Sequence, residues 1–268
     1  MSTKDTVLIT GASTGIGAVY ADRFAKRGHN LVLVARDFER LEILAKRLWD
    51  ETGVNVEVEV ADLTSKPDLL RIEQRLRTDP KIGVLVNNAG MGVFGDIIGG
   101  DPDNLETVID LNVTAATRLA AAAANGFAAR GGGSIINLSS VLALAPERAN
   151  PVYGGSKAFL LNFSQALHQQ ASPRGVHVQV VLPGATRTEI WARAGKDVNA
   201  FDPAMVMEVH DLVDAALAGF DAGELVTIPS LPDAGDWAAF EVARLKLAPN
   251  LSRRLPATRY RVKDEVAA

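Results

Sequence analysis

Short apolar runs alternate with longer helix-like segments through most of this chain. The runs are Val7–Thr10, Leu31–Ala35, Val54–Val60, Ile82–Val86, Ser134–Leu138, His177–Leu182 and Leu225–Ile228. Most are rich in Val, Ile and Leu on both alternating positions, as strands buried on both faces require. Between them lie helical patterns at Ile16–Arg27, Phe38–Glu51, Pro67–Arg77, Asp103–Ala129, Val152–Ala171 and Glu208–Ala218. Asp37 and Asp101 are helix-start residues by type, and Gly28 and Gly53 are helix ends. Repeated alternation of this kind predicts an α/β fold: a seven-stranded parallel sheet with helices on both faces.

The chain has 268 residues, of which 47% are hydrophobic, enough for one large core. The expectation is a single domain over 1–268, with residues 185–210 as a substrate lid and 237–268 as a C-terminal extension. A net charge of -4 with no strongly basic stripe argues against nucleic acid. Without cysteine there is neither a disulfide framework nor a thiolate metal site. His29, His168, His177 and His210 show no metal-ligand spacing, so no metal is expected. No signal peptide or membrane span is legible, which predicts a soluble, cytoplasmic protein with no membrane partner.

The first strand runs into TGASTGIG at residues 10–17. Gly11, Gly15 and Gly17 follow a strand and open a helix. That context suits either a tight strand–helix turn or a backbone approaching a phosphate at a helix N-terminus. The second reading makes the fold doubly wound and Rossmann-like. It also calls for a ribose-reading residue about 20 positions beyond the glycines, acidic for NAD and Arg for NADP. Arg36 stands there with no acid at Ala35, which favours NADP, with NADPH preferred and NAD possible.

Tyr153 and Lys157 are four residues apart in a helical segment, so they share one face. A free phenol has a pKa of about 10, and a neighbouring ammonium favours the phenolate. Tyr153 is then expected to be lowered and to act as general acid or base.

TGASTGIG (10–17), NNAG (87–90), LNV (111–113), SS (139–140), YGGSK (153–157) and PGATRT (183–188) occur in one order. In this the chain resembles the short-chain dehydrogenase/reductase family, in its compact single-domain branch. The resemblance implies an NADP(H)-dependent oxidoreductase that interconverts a ketone or aldehyde and an alcohol by hydride transfer. It implies a catalytic set of Asn112, Ser140, Tyr153 and Lys157. It implies cofactor contacts at Gly11, Ser13, Thr14, Gly15, Ile16, Gly17 and Arg36; at Asp62 and Leu63 beside the adenine; and at Asn88, Ala89 and Gly90. Tyr153, Lys157, Pro183, Gly184, Thr186 and Thr188 complete that set. Ser140 would hydrogen-bond the substrate oxygen, with Ser139 structural, and Asn112 would order a water beside Lys157. A binding protein that senses the NADP redox state is the alternative on the same fold.

The substrate is expected to be a small molecule with an apolar part, walled by Met91–Phe94, Val141–Leu144, Ile190, Trp191, Met205 and Met207. Relatives in the family are commonly dimers or tetramers, so a homodimer or homotetramer is expected. Small residues at Ala115–Ala124 suit either close helix contact between subunits or ordinary core packing. Charge is uneven near the end: nine acidic residues and one lysine lie between Gly195 and Trp237, and seven basic residues with no acid between Arg244 and Lys263. Two solvated surfaces would explain this, as would a basic tail packed on the acidic segment within a subunit or across a dimer.

Overall fold

The apolar runs become parallel strands, as their two-sided hydrophobicity requires. They are β1 (Thr6–Thr10), β2 (Leu31–Ala35), β3 (Val56–Val60), β4 (Ile82–Asn87), β5 (Gly133–Leu138), β6 (Val176–Val181) and β7 (Val226–Thr227). This computed structural model describes residues 5–93, 95–193 and 195–260. The strands form one seven-stranded sheet in the order β3-β2-β1-β4-β5-β6-β7. Every neighbouring pair is parallel. The chain divides after Ser230 into two units, and the sheet lies wholly in the first.

The helices of that unit are α1 (Gly15–Lys26), α2 (Phe38–Thr52), α3 (Lys66–Thr78), α4 (Pro102–Ile109), α5 (Ala116–Ala129), α6 (Pro151–Ala171), α7 (Ile190–Arg193) and α8 (Val209–Asp221). Alternate residues of each strand face opposite layers. Val7, Ile9 and Leu33 pack with Phe24 of α1, Leu41 of α2 and Leu212 of α8. Leu8, Val32 and Leu85 pack with Ile72 of α3, Leu119 and Phe127 of α5, and Ala171 of α6. Each fully buried Leu, Ile or Phe contributes about 1.5–3 kcal/mol of apolar burial, so the two layers carry most of the folding energy. The Asp37 side chain caps α2 by accepting from Arg40 N at 3.1 Å, and Gly53 ends that helix at φ 73°.

Strand order runs outward from β1 to β3, then returns to the other side of β1 with β4. Helix crossovers therefore leave opposite faces at β1 and β4, and a crevice opens where their carboxyl ends diverge. Both TGASTGIG and NNAG lie at that point.

The expected helix Asp103–Ala129 is not continuous. Between α4 and α5 the residues Asp110–Ala115 form a π-helical turn. A π turn inserts one extra residue, and such turns recur where a helix must re-aim a side chain. Here the re-aimed residue is Asn112, which is buried. Its Oδ1 accepts from Met91 N at 2.9 Å, and its Nδ2 donates to Met91 O at 2.9 Å and to Ser156 Oγ at 3.2 Å. The alanines of α5 go to the core: Ala120, Ala122 and Ala123 are fully buried in the layer that holds Leu76 of α3.

Among its described residues the second unit carries the α-helix α9 (Ala234–Leu245), capped by Asp233 accepting from Gly235 N at 2.7 Å. None of its residues is buried. The sequence reading assigned no element here, although Pro232-Asp233 is a helix-start signal. No helix among the described residues is long and apolar enough to cross a membrane.

Asn112→Ala would leave both Met91 backbone groups without their partner. Removing one side of such buried bonds costs about 1–3 kcal/mol. The Met91 amide should lose its protection from hydrogen exchange while the amides of β1 and β4 keep theirs.

Candidate functional site

The glycine loop is shaped by close approach. Gly11 and Gly15 take the left-handed conformation, with φ of 63° and 56°. A Cβ on Gly11 would lie 2.9 Å from Asn88 Nδ2 and 3.0 Å from Ala89 Cα, and one on Gly17 would collide with the Gly11 carbonyl oxygen. Asn88 Nδ2 donates to Thr10 O at 2.9 Å and Gly11 O at 3.2 Å. The Thr10 hydroxyl accepts from Asn88 N at 3.0 Å and Ala89 N at 2.9 Å. The ends of β1 and β4 are thus tied side by side. The first turn of α1 holds no acidic residue, so its N–H groups and positive dipole end are open to an anion.

Thr188 reaches the same loop, with its Cγ2 3.4 Å from where a Gly15 Cβ would sit. Pro183 is buried, and its carbonyl accepts from Val141 N at 3.0 Å and from the Ser140 hydroxyl at 3.4 Å. Thr186 is buried and donates to Gly184 O at 3.0 Å. The segment expected as a lid is pinned at its base by two backbone bonds, Arg187 N to Met207 O and Met207 N to Ala185 O. The Trp191 indole donates to Thr186 O at 2.7 Å.

At the far end of the crevice, Arg36 follows β2 with its side chain 75% exposed, and its Nη1 lies 4.0 Å from Asp62 Oδ2. Asp62 also accepts from the backbone and hydroxyl of Thr64. Leu63 is buried in the core. Ile16 packs partly buried against the opposite core layer. Ser13 and Thr14 are half-buried in the loop.

At the near end, β5 and α6 bring three expected residues together. Ser140 lies two residues beyond the end of β5, and its hydroxyl accepts from Leu142 N at 3.1 Å. Tyr153, in the first turn of α6, stands beside Ser140, whose hydroxyl favours its ionised form. Lys157 is buried one turn on, with Nζ 5.8 Å from the centre of the Tyr153 ring. That Nζ donates to Leu138 O at 2.9 Å, and Ser139 Oγ donates to Lys157 O at 2.7 Å. Asn112 and Lys157 converge at Gly90: a Cβ there would sit 3.2 Å from Asn112 Oδ1 and 3.4 Å from Lys157 Nζ.

The electrostatics correct one expectation. Tyr153 is not lowered by Lys157: burial raises the phenol above its usual value, and the Ser140 hydrogen bond offsets only part of that. Burial acts on Lys157 instead and pushes its ammonium down to about 8. A charge taken out of water is disfavoured whichever sign it has, so the phenol keeps its proton and the ammonium is readier to release one.

Sequence reasoning missed three participants. Ser156 accepts from Asn112 and donates to Tyr153 O at 2.7 Å, which joins the π turn to α6. A serine inside a helical pattern was the available signal, since such residues bond back to the helix backbone. Arg40 and Glu189 form a bidentate pair, with Nη1 at 3.0 and 2.8 Å from the two carboxylate oxygens, that ties α2 to the lid. No local signal announces a pair so far apart in sequence. Among the expected walls, Met207 packs against the core, Leu144 and Met205 are exposed, and Phe94 lies outside the described residues.

The family model for short chain dehydrogenase matches residues 5–199. Human 17-beta-hydroxysteroid dehydrogenase type 3 is 36% identical over 183 residues, which cover 68% of this chain and 59% of that protein. The chain thus spans about three fifths of the length of the curated relatives it matches. A solved short-chain dehydrogenase from Sphingobium yanoikuyae in complex with NADPH is 55% identical, with a TM-score of 0.93 over 96% of this chain and 100% of that one. The bulky-bulky ketone specific alcohol dehydrogenase from Comamonas testosteroni is 49% identical, with a TM-score of 0.89 over 97% and 99% of the two chains. A crevice at the strand-order switch, glycines packed against the β4 end, and Ser, Tyr and Lys converging beside it accompany these matches, and the chain belongs to the short-chain dehydrogenase family.

Proposed function

We propose that this chain reduces a ketone bearing two large groups to its secondary alcohol, reversibly, with NADPH. The observation that carries the reading is the convergence of Ser140, Tyr153 and Lys157 at the mouth of the crevice, with Lys157 Nζ 5.8 Å from the centre of the Tyr153 ring. The NADPH complex and the ketone specificity in the names of the two solved relatives support cofactor and substrate class.

The residues fit a dinucleotide. The α1 N-terminus, without an acid in its first turn, would take the pyrophosphate, and Gly11, Gly15 and Gly17 let the backbone approach it. Arg36, exposed and fork-shaped, would take the 2′-phosphate. Thr186, Thr188 and Pro183 would line the nicotinamide end beside Gly90 and Lys157. When bound, the nicotinamide supplies a hydride to the carbonyl carbon.

The chain's own part is to hold the ketone and deliver a proton. Ser140 Oγ would donate to the carbonyl oxygen and steady the negative charge that grows there. Tyr153, kept protonated by burial, would give its proton to that oxygen as the alcohol forms. Lys157 would hold charge beside the phenolate left behind and help reprotonate it. Asn112 would act as a positioning residue by fixing Met91, and hence Gly90, beside Lys157.

Consumption of NADPH with diaryl ketones and other ketones flanked by two large groups tests the reading. Tyr153→Phe should lower turnover at least about 100-fold, the usual share of a positioned acid, with NADPH binding nearly unchanged. Full turnover in that variant would remove Tyr153 from the chemistry. Arg36→Ala should raise the Kd for NADPH at least tenfold and leave NADH within about twofold; equal losses would show that Arg36 does not read the phosphate. The reduction rate should be flat near neutral pH and fall as pH rises through about 8. A depressed Lys157 is charged below that value and neutral above it, whereas the raised Tyr153 keeps its proton across the window.

A further inference from the structure

Beyond Gly90 the chain leaves the crevice through Met91, Gly92 and Val93, all half-buried, and reaches Gly95, which is left-handed at φ 89°. Both ends of this stretch are held by an asparagine. At Met91 the holder is Asn112, which bonds both backbone groups. At Gly95 it is Asn150, whose Nδ2 donates to the Gly95 carbonyl at 2.8 Å.

Asn150 uses the same amide a second time. Its Oδ1 accepts from Val152 N at 2.9 Å and so caps α6, the helix whose first turn carries Tyr153. The amide faces an N–H on one side and a carbonyl on the other, so it fits only one way round. The Asn112 hold ends on the same helix: Asn112 Nδ2 donates to Ser156 Oγ, and that hydroxyl donates to the Tyr153 carbonyl. Both ends of the stretch are therefore tied to the backbone around Tyr153. The cap alone does not require this, since an N-cap needs only an acceptor. Asn150 and Gly95 also line one groove of about 460 Å³, together with Ile97, Ile98, Ala149 and Pro151. Their bond fixes how far the two isoleucines stand from the start of α6.

We infer that Asn150 is a positioning residue that adapts the site to large ketones. Its bond to Gly95 holds the wall formed by Met91, Val93, Ile97 and Ile98 at the distance from Tyr153 at which a large group packs with its carbonyl beside the phenol. The cap sets the proton donor, and the Gly95 bond sets the fit of the substrate. A small ketone makes less use of that wall. The inference rests on the proposed ketone reduction and names the residue by which the site favours large substrates.

Two variants separate the two uses of the amide. Asn150→Asp and Asn150→Ser both keep an oxygen that caps α6. Neither donates to Gly95: the carboxylate has no proton to give, and the serine is too short to reach. NADPH consumption is followed with benzophenone and with butanone, and thermal melting checks the fold. Both variants should raise the KM for benzophenone about fivefold, because one such bond shifts an equilibrium about two- to tenfold. The loss should sit in KM rather than kcat, the mark of lost binding rather than lost proton transfer. The fall in kcat/KM should be about fivefold larger for benzophenone than for butanone. An unchanged benzophenone KM overturns the inference. Equal losses with the two ketones also overturn it, because Asn150 would then be structural only. A change in the Asp variant alone would assign the effect to its charge and overturn it too. A wild type that consumes no NADPH with benzophenone fails one step earlier, at the proposed reaction, and takes this inference with it.

Discussion

The contact between two backbones organises this molecule. The glycine turn after β1 and the NNAG turn after β4 approach until no side chain fits between them, and Asn88 bonds the Thr10 and Gly11 carbonyls. These bonds replace water for carbonyls that the strand ends would otherwise leave unpaired. They also set the width of the crevice, because both turns sit where strand order reverses. The positions of α1, Gly90 and, through Gly90, of Lys157 and Asn112 follow from this one joint.

A second constraint is burial beside that crevice. Ser140, Lys157 and Asn112 are polar groups held out of water, and each is bonded as such groups must be. Their partners are mostly backbone: Leu138 O for Lys157, Pro183 O for Ser140, and both Met91 groups for Asn112. Backbone partners are rigid, so the side chains are fixed before any ligand arrives, which is the preorganisation that acid–base work needs. The same burial sets the protonation states, with the phenol kept neutral and the ammonium near its release point.

The surface follows a different rule. Ion pairs such as Arg40–Glu189 and Arg23–Asp214 stitch helices and lid together, each worth little alone at these exposures.

Much of this was legible in the sequence because it is local. Strand and helix alternation follows from residue spacing, and each expected strand is present with its ends shifted by a residue or two. Tyr153 and Lys157 share a helix face because they are four apart, and the glycines had to serve a close approach because they cluster between strand and helix. Tertiary structure decided what depends on residues distant in the chain. The π turn exists because Asn112 must reach Met91 across a loop, and no local pattern distinguishes it from the helix expected at Asp103–Ala129. The sign of the Tyr153 shift was misjudged because spacing reveals a neighbour's charge but not the water removed around both groups. The Arg40–Glu189 tie likewise joins residues far apart in the chain. Periodicity specifies which element forms; burial and pairing between elements specify what its side chains can do.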